Sequence, residues 1–265
     1  MYGSTGSFSF LAKLPGRLAE ALTHYEAALR IDPTSPEMHD NFANALAKSP
    51  GRMPEALAHY AEAMRLNPGY AEAHADLANL LAGMPGRLPD AVSHYEQALR
   101  LAPDVAEVHY NLANALATLP GREPEAIEHY EAALRLRPGF ADAHANLANV
   151  LARLPGRGPE AIEHYTSALR IEPGIAWVHL ALALQLSSLP GREAEAISQA
   201  EEALRLKPDY AEGYNCLAII DAQQGQLESA RSHWEKALQL RPDYATAREN
   251  LDRLEQMIKR RVGEP

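Results

Sequence analysis

Read for the spacing of its apolar residues, the chain alternates short helical stripes with polar turns. Within residues 106–140, Val108, Leu112, Ala113 and Leu116 recur at helical spacing, and so do Ala126, Tyr130, Ala133 and Leu134. The pattern predicts two amphipathic helices. The first must stop near Leu119, because a residue before proline is pushed out of the helical region and Gly121 can take the left-handed conformation that closes a helix. The second opens at Pro124-Glu125, where a missing N–H is harmless and a carboxylate meets the positive helix end. Pro138 then ends it.

This two-helix pattern is copied along the chain. Pro-Gly-Arg turns begin at Pro15, Pro50, Pro85, Pro120, Pro155 and Pro190, each 35 residues after the last. The seventh unit has "QQGQLESA" around Gly225 instead and is one residue shorter, at 34. Prolines 33, 68, 103, 138, 173, 208 and 242 all occupy the stop after the second helix. Seven hairpin units are expected over 8–244, with boundaries near 35/36, 70/71, 105/106, 140/141, 175/176 and 210/211. The first unit has a degenerate opening helix in "STGSFSFLAK", and the Gly/Ser/Thr-rich residues 1–7 read as a leader or tag-like segment. Residues 245–265 read as a charged helix and tail that cap the last apolar face, since each hairpin buries its stripe only on its neighbours.

Small residues at Ala113 and Ala126, an aromatic at Tyr130, Ala133 and the closing Pro138 give the chain a pattern that resembles the tetratricopeptide repeat. The resemblance recurs seven times over roughly 8–244. It implies an all-α fold, a right-handed superhelical solenoid of antiparallel helix hairpins whose first helices line a concave groove. Two departures stand out: the extra proline in the hairpin turn, and histidine where the family often has a bulky aromatic, at His39, His74, His109, His144 and His179. Only Tyr214 keeps an aromatic there.

Composition narrows the function. A formal charge of −10 argues against nucleic acid as a partner, since a phosphate backbone calls for clustered Lys and Arg. Cys216 is the only cysteine, so no intrachain disulfide forms. No run approaches the ~18 apolar residues of a membrane span, and "MYGSTGSFSF" lacks the basic flank of a signal peptide. The default placement is cytoplasmic, and extracytoplasmic if the chain belongs to a larger membrane protein, bacterial in this reading. No phosphate loop, metal motif or nucleophile constellation stands outside the repeated columns, which points to a non-enzyme with no cofactor; Asp221 is the one isolated oddity.

The remaining candidates are columns of repeated residues. All eleven histidines fall into two columns, the five above and His24, His59, His94, His129, His164 and His233. Spaced by 15 and 20 residues along the chain, they read as partly buried rings between helices, able to charge below about pH 6, more readily than as a metal site. The turn arginines, Arg17 to Arg192, read as helix capping. The asparagines are different. Asn41, Asp76, Asn111 and Asn146 form one column, and Asn44, Asn79, Asn114 and Asn149 a second, three residues later on the same helix face. Asparagine in a helix costs roughly 0.5 kcal/mol relative to alanine, so a repeated pair implies a role. The column resembles the ladder in the repeat domain of O-linked N-acetylglucosamine transferases, which grips the backbone of an extended polypeptide. A carboxamide suits that task because it donates and accepts at once.

The ladder then stops at Ala181 and Leu184, and in the next unit at Cys216 and Ile219. Trp177, Leu180, Leu184 and Ile219 are expected to form an apolar pocket on the groove wall or a self-association patch, the alternative being a local core. Acidic Glu37, Glu72, Glu107 and Asp142, one turn before the ladder, favour a neutral or basic ligand. The cationic clamp of chaperone-binding relatives is absent, its positions holding Asp40, Ala75, Tyr110, Ala145, Glu72 and Glu107. The function expected is a peptide-binding scaffold. A self-assembling protein, dimeric or head-to-tail, and the substrate-recruiting region of a larger glycosyltransferase-like protein remain open beside it.

Overall fold

Each predicted stripe folds as a helix in the computed structural model, which describes residues 11–12 and 14–262. Fourteen helices, and no strand, make up the described residues. The chain divides into two compact units, Met1–Pro138 and Gly139–Pro265. The first holds α1 (Leu18–Ile31), α2 (Pro36–Leu46), α3 (Met53–Leu66), α4 (Ala71–Ala82), α5 (Leu88–Leu101), α6 (Ala106–Ala117) and α7 (Glu123–Leu136). The second holds α8 (Ala141–Ala152), α9 (Gly158–Ile171), α10 (Ala176–Ser187), α11 (Glu193–Leu206), α12 (Ala211–Gln223), α13 (Leu227–Leu240) and α14 (Ala245–Val262). In each unit consecutive helices pack as hairpins, α2 on α3, α4 on α5 and α6 on α7, then α8 on α9, α10 on α11 and α12 on α13. Except for Leu11 and Ala12, the degenerate opening helix and the leader-like segment lie outside the described residues.

The hairpin turn works as its composition predicts. Gly121 and its counterparts have φ between +74° and +82°, the left-handed region that glycine enters without a Cβ penalty. The next residue, arginine in six of the turns, is the N-cap of the second helix, and proline is its second residue at Pro54, Pro89, Pro124 and Pro159. The arginine side chain grips the acid three positions on, as Arg17 does Glu20 and Arg122 does Glu125. The guanidinium therefore braces the first turn of the following helix, where capping of the preceding helix end was expected.

Two side-chain types set how closely the helices approach. Ala21, Ala56, Ala91, Ala126, Ala161, Ala196 and Ala230 are fully buried, letting backbones meet. Four residues on, Tyr25, Tyr60, Tyr95, Tyr130 and Tyr165 fill the space between helices, all nearly inaccessible. At the end of the second unit α14 lays Ala247, Leu251 and Leu254 on Ala218, Trp234 and Ala237.

Candidate functional site

A buried tyrosine ring carries a hydroxyl that needs a partner. The first helix of the same hairpin supplies it: Tyr60, Tyr95, Tyr130 and Tyr165 donate to the Oδ1 of Asn44, Asn79, Asn114 and Asn149 at 2.8, 2.6, 2.5 and 2.7 Å. The second asparagine column is thus a row of pins closing each hairpin. The pin also explains where the column ends. Ala200 stands in the next tyrosine position and Leu184 in the asparagine position, so both partners vanish together. In the last hairpin Trp234 takes the aromatic place and donates its Nε1–H to Asn215 at 3.0 Å, with Ile219 where the asparagine would be.

The first column bonds to the second across neighbouring repeats. Asn111 donates Nδ2 to Asn79 of the preceding repeat at 2.9 Å, and Asn44 donates to Asp76 at 2.5 Å. Asn41 donates Nδ2 to the Glu37 carbonyl of its own helix at 2.8 Å. In Asn41 and Asn111 one N–H is committed, leaving the second N–H and the Oδ1 acceptor. Around them Glu37, Glu72, Glu107 and, in the second unit, Asp142 are exposed.

The histidine columns meet in pairs. His39 and His59, His74 and His94, His109 and His129, and His144 and His164 face each other through their Nδ1 atoms at 2.8, 3.1, 2.9 and 2.9 Å. The ring centroids stand 5.0–5.3 Å apart, close to the N···N distance plus two ring radii, so the nitrogens meet head on as in an N–H···N bond. His39 and His109 donate Nε2–H to the carbonyls of Pro33 and Pro103 at 3.1 and 3.0 Å, which makes their Nδ1 the acceptor and the partner ring the donor. Burial, and then the facing ring, holds His59, His129 and His164 below the usual imidazole range; burial lowers His74 and His94 as well. In the sixth hairpin Gln199 replaces the second ring, with Oε1 2.7 Å from His179 Nδ1.

The four apolar candidates do not converge on one pocket. Leu180 is turned inward, 6% exposed, whereas Trp177 and Leu184 are 37% and 39% exposed on α10. Trp177 borders a recess of about 400 Å³ with Ile175, Lys207 and Tyr210. Ile219 borders another, of about 340 Å³, beneath α14 with Trp234, Leu254 and Met257. Asp221 is buried and accepts from Ser229 Oγ at 2.6 Å and from His233 Nδ1 at 2.8 Å. Both donors end on the same carboxylate oxygen, so the imidazole is not placed to take the hydroxyl proton, as nucleophilic catalysis requires.

Known proteins resemble this arrangement at the level of fold. Models described as tetratricopeptide repeat match residues 86–139, 121–174 and 211–244, and one described as TPR repeat matches 15–49. Among solved structures, YrrB, described as a TPR protein with an unusual peptide-binding site, is 24% identical, covers 72% of this chain and 96% of its own, and superposes with a TM-score of 0.61. The C-terminal part of a TPR repeat-containing protein from Cytophaga hutchinsonii covers 94% of this chain and 99% of its own at 16% identity and a TM-score of 0.64. MamA from Desulfovibrio magneticus RS-1 covers 66% and 96% at 19% identity and a TM-score of 0.60. No curated protein matches the sequence.

Proposed function

We propose, for a chain that belongs to the tetratricopeptide repeat family, a non-catalytic scaffold that holds an extended polypeptide along the first-helix faces of its units. The observation that carries the reading is the line on each first helix of an exposed acid followed four residues later by a first-column polar side chain: Glu37 and Asn41, Glu72 and Asp76, Glu107 and Asn111, Asp142 and Asn146. The second column is occupied by its tyrosines, so the grip falls to the first. Asn41 and Asn111 offer carbonyl acceptors, which suit the N–H groups of an extended strand without reading its side chains. The acids beside them favour a neutral or basic segment. Trp177 and Leu184 supply an apolar anchor of the kind that dominates small interfaces.

The test is capture of peptides from an array of random 12-residue sequences. Asn41→Ala with Asn111→Ala should weaken capture across most sequences while the circular dichroism spectrum stays unchanged. Undiminished capture by the double variant would remove the first column from the mechanism. Exposed Trp177 and Leu184 also favour self-association, the second reading. Light scattering over a concentration series on wild type and on Trp177→Ser with Leu184→Ser separates it, since only assembly makes the mass rise with concentration and fall in the variant.

A further inference from the structure

The first asparagine column, broken at Ala181 and Cys216, resumes at Asn250 on α14. In a middle repeat the equivalent residue is tied in. Asn111 donates to Asn79 of the preceding repeat and Tyr95 donates to the same Oδ1, so one carbonyl joins three helices. At the end of the second unit the three places hold Asn250, Ile219 and Trp234. Ile219 has nothing to accept with, and the Trp234 indole N–H goes to Asn215 instead. The Asn250 carboxamide therefore makes no hydrogen bond among the described residues. Stacking gives no reason for it, since alanine is the better helix former and already serves at Ala181. Arg253 stands in the second-column place and makes no ion pair among the described residues, although Glu249 is exposed one turn back on the same helix.

The missing bonds leave a recess of about 340 Å³ within the second unit. It is lined by buried Trp234 and Leu254, half-buried Ile219 and exposed Met257, with Asn250 and Arg253 beside them. No acid lines it among the described residues, and the acid found four residues before the first column in α2, α4, α6 and α8 is Thr246 here. A volume at the lower end for ligand pockets suits one large side chain. The apolar lining selects an apolar group, the free carboxamide matches a peptide unit, and the unpaired guanidinium matches a carboxylate.

We propose that this recess, between α12 and α14, is a subsite for a large apolar side chain of the bound polypeptide, with Asn250 holding the peptide unit beside it and Arg253 the carboxylate of an Asp or Glu two residues away. Residues two apart in an extended chain share a face, about 7 Å from each other. The carboxylate belongs to a side chain, because the polypeptide runs along the first-helix face and does not end on it. The inference rests on the scaffold reading above and names the residue pair it selects at this layer.

The probe is the blocked pentapeptide N-acetyl-Glu-Gly-Leu-Gly-Glu-amide, whose acids on both sides of leucine serve either chain direction, titrated into isotope-labelled protein. It should shift the side-chain amide signals of Asn250 and the methyl signal of Met257. The counterpart with glutamine for both acids should bind about fivefold more weakly, the upper worth of one exposed charge pair, and the counterpart with alanine for leucine should leave the Met257 signal still. Arg253→Gln, an exposed change that leaves the fold intact, should bind the acidic and glutamine peptides equally. Ile219→Asn restores the acceptor of the earlier repeats and should tie up Asn250 and close the recess to the probe. Equal binding of both peptides by wild type, undiminished discrimination by Arg253→Gln, or an Asn250 signal that stays still would overturn the subsite. A preference for N-acetyl-Gly-Gly-Leu with a free carboxylate would overturn it too, by making the carboxylate a chain end. The peptide array separates this from the parent reading. Capture that ignores a leucine two residues from an acid overturns the subsite and keeps the scaffold; probe bound at Asn250 with capture undiminished in the Asn41→Ala, Asn111→Ala variant keeps the subsite and removes the parent's grip.

Discussion

Acidification should loosen the hairpins through the histidine pairs, and the chain contains its own control. Each pair holds a single proton between two Nδ1 atoms 2.8–3.1 Å apart, so protonating both rings sets N–H against N–H and breaks the bond. The folded-state values of His59, His74, His94, His129 and His164 are depressed, so the unfolded chain binds more protons as the pH drops. Stability from these groups is complete above the unfolded imidazole value of about 6.5 and falls as the pH passes below it. Local charges only moderate this: around His59, Glu55 and Glu62 oppose the shift and Arg52 adds to it. Asp40 acts in the opposite sense, since a carboxyl raised to about 7 adds stability as the pH falls through that value. A hydrogen bond contributes about 1 kcal/mol net, so four broken pairs represent on the order of 4 kcal/mol. For a chain of this size that lowers the melting temperature by roughly 10 °C. The assay is thermal melting by circular dichroism at about pH 7.5 and about pH 5. The control is His59→Gln, His94→Gln, His129→Gln and His164→Gln combined, which copies the His179–Gln199 pair. An amide can turn to accept from a charged ring or donate to a neutral one, so this variant should lose most of the pH effect. Equal drops in wild type and variant, or no drop in wild type, would refute the reasoning.

Three further outcomes follow from the packing. Tyr130→Phe should cost about 1 kcal/mol by removing the hydroxyl that donates to the Asn114 carbonyl, and a double-mutant cycle with Asn114→Leu should show coupling of similar size in denaturant melts. Gly121→Ala should cost about 1 kcal/mol in the same assay from the positive φ of 78° alone, because a Cβ there meets nothing within 4 Å. Cys216, whose thiol burial pushes up to about 12, should resist iodoacetamide at neutral pH until the chain is unfolded; rapid alkylation of the folded protein would contradict its burial.

The helices were legible because their signals are local. The Pro-Gly turn, the closing proline and the helical stripe each act within a few residues, and they position the hairpins without knowledge of what touches what. The site was less legible because its bonds join columns that look independent in the sequence. The second asparagines read as groove ligands, yet each is tied to a tyrosine 16 residues later. The joint loss of both at Leu184 and Ala200 was the available sign. The histidines likewise look like two periodic columns until the hairpin sets rings 20 residues apart face to face. Trp177 and Leu180 are three apart on α10 and still diverge, one exposed and one buried, because the side of the helix that meets its neighbour divides them.

Repetition also supplies a criterion for separating stacking from binding. A residue present for stacking should have its partner inside the stack, and should change when that partner changes. The tyrosine pins satisfy this, as does Asn215, which appears with Trp234 and accepts its indole N–H. Gln199 satisfies it too, replacing a histidine while still reaching His179. Asp40 occupies the same column as Asn215, is buried to a similar degree, and has an oxygen with no partner among the described residues. Its neighbour Asp76 differs from the asparagines of its column in losing a donor and gaining a charge. Neither change improves a stack, since bringing two carboxylates to one amide lowers its stability. Replacing both, as Asp40→Ala with Asp76→Asn, should therefore raise the melting temperature followed by circular dichroism, and an unchanged or lower value would show that the two acids serve the stack.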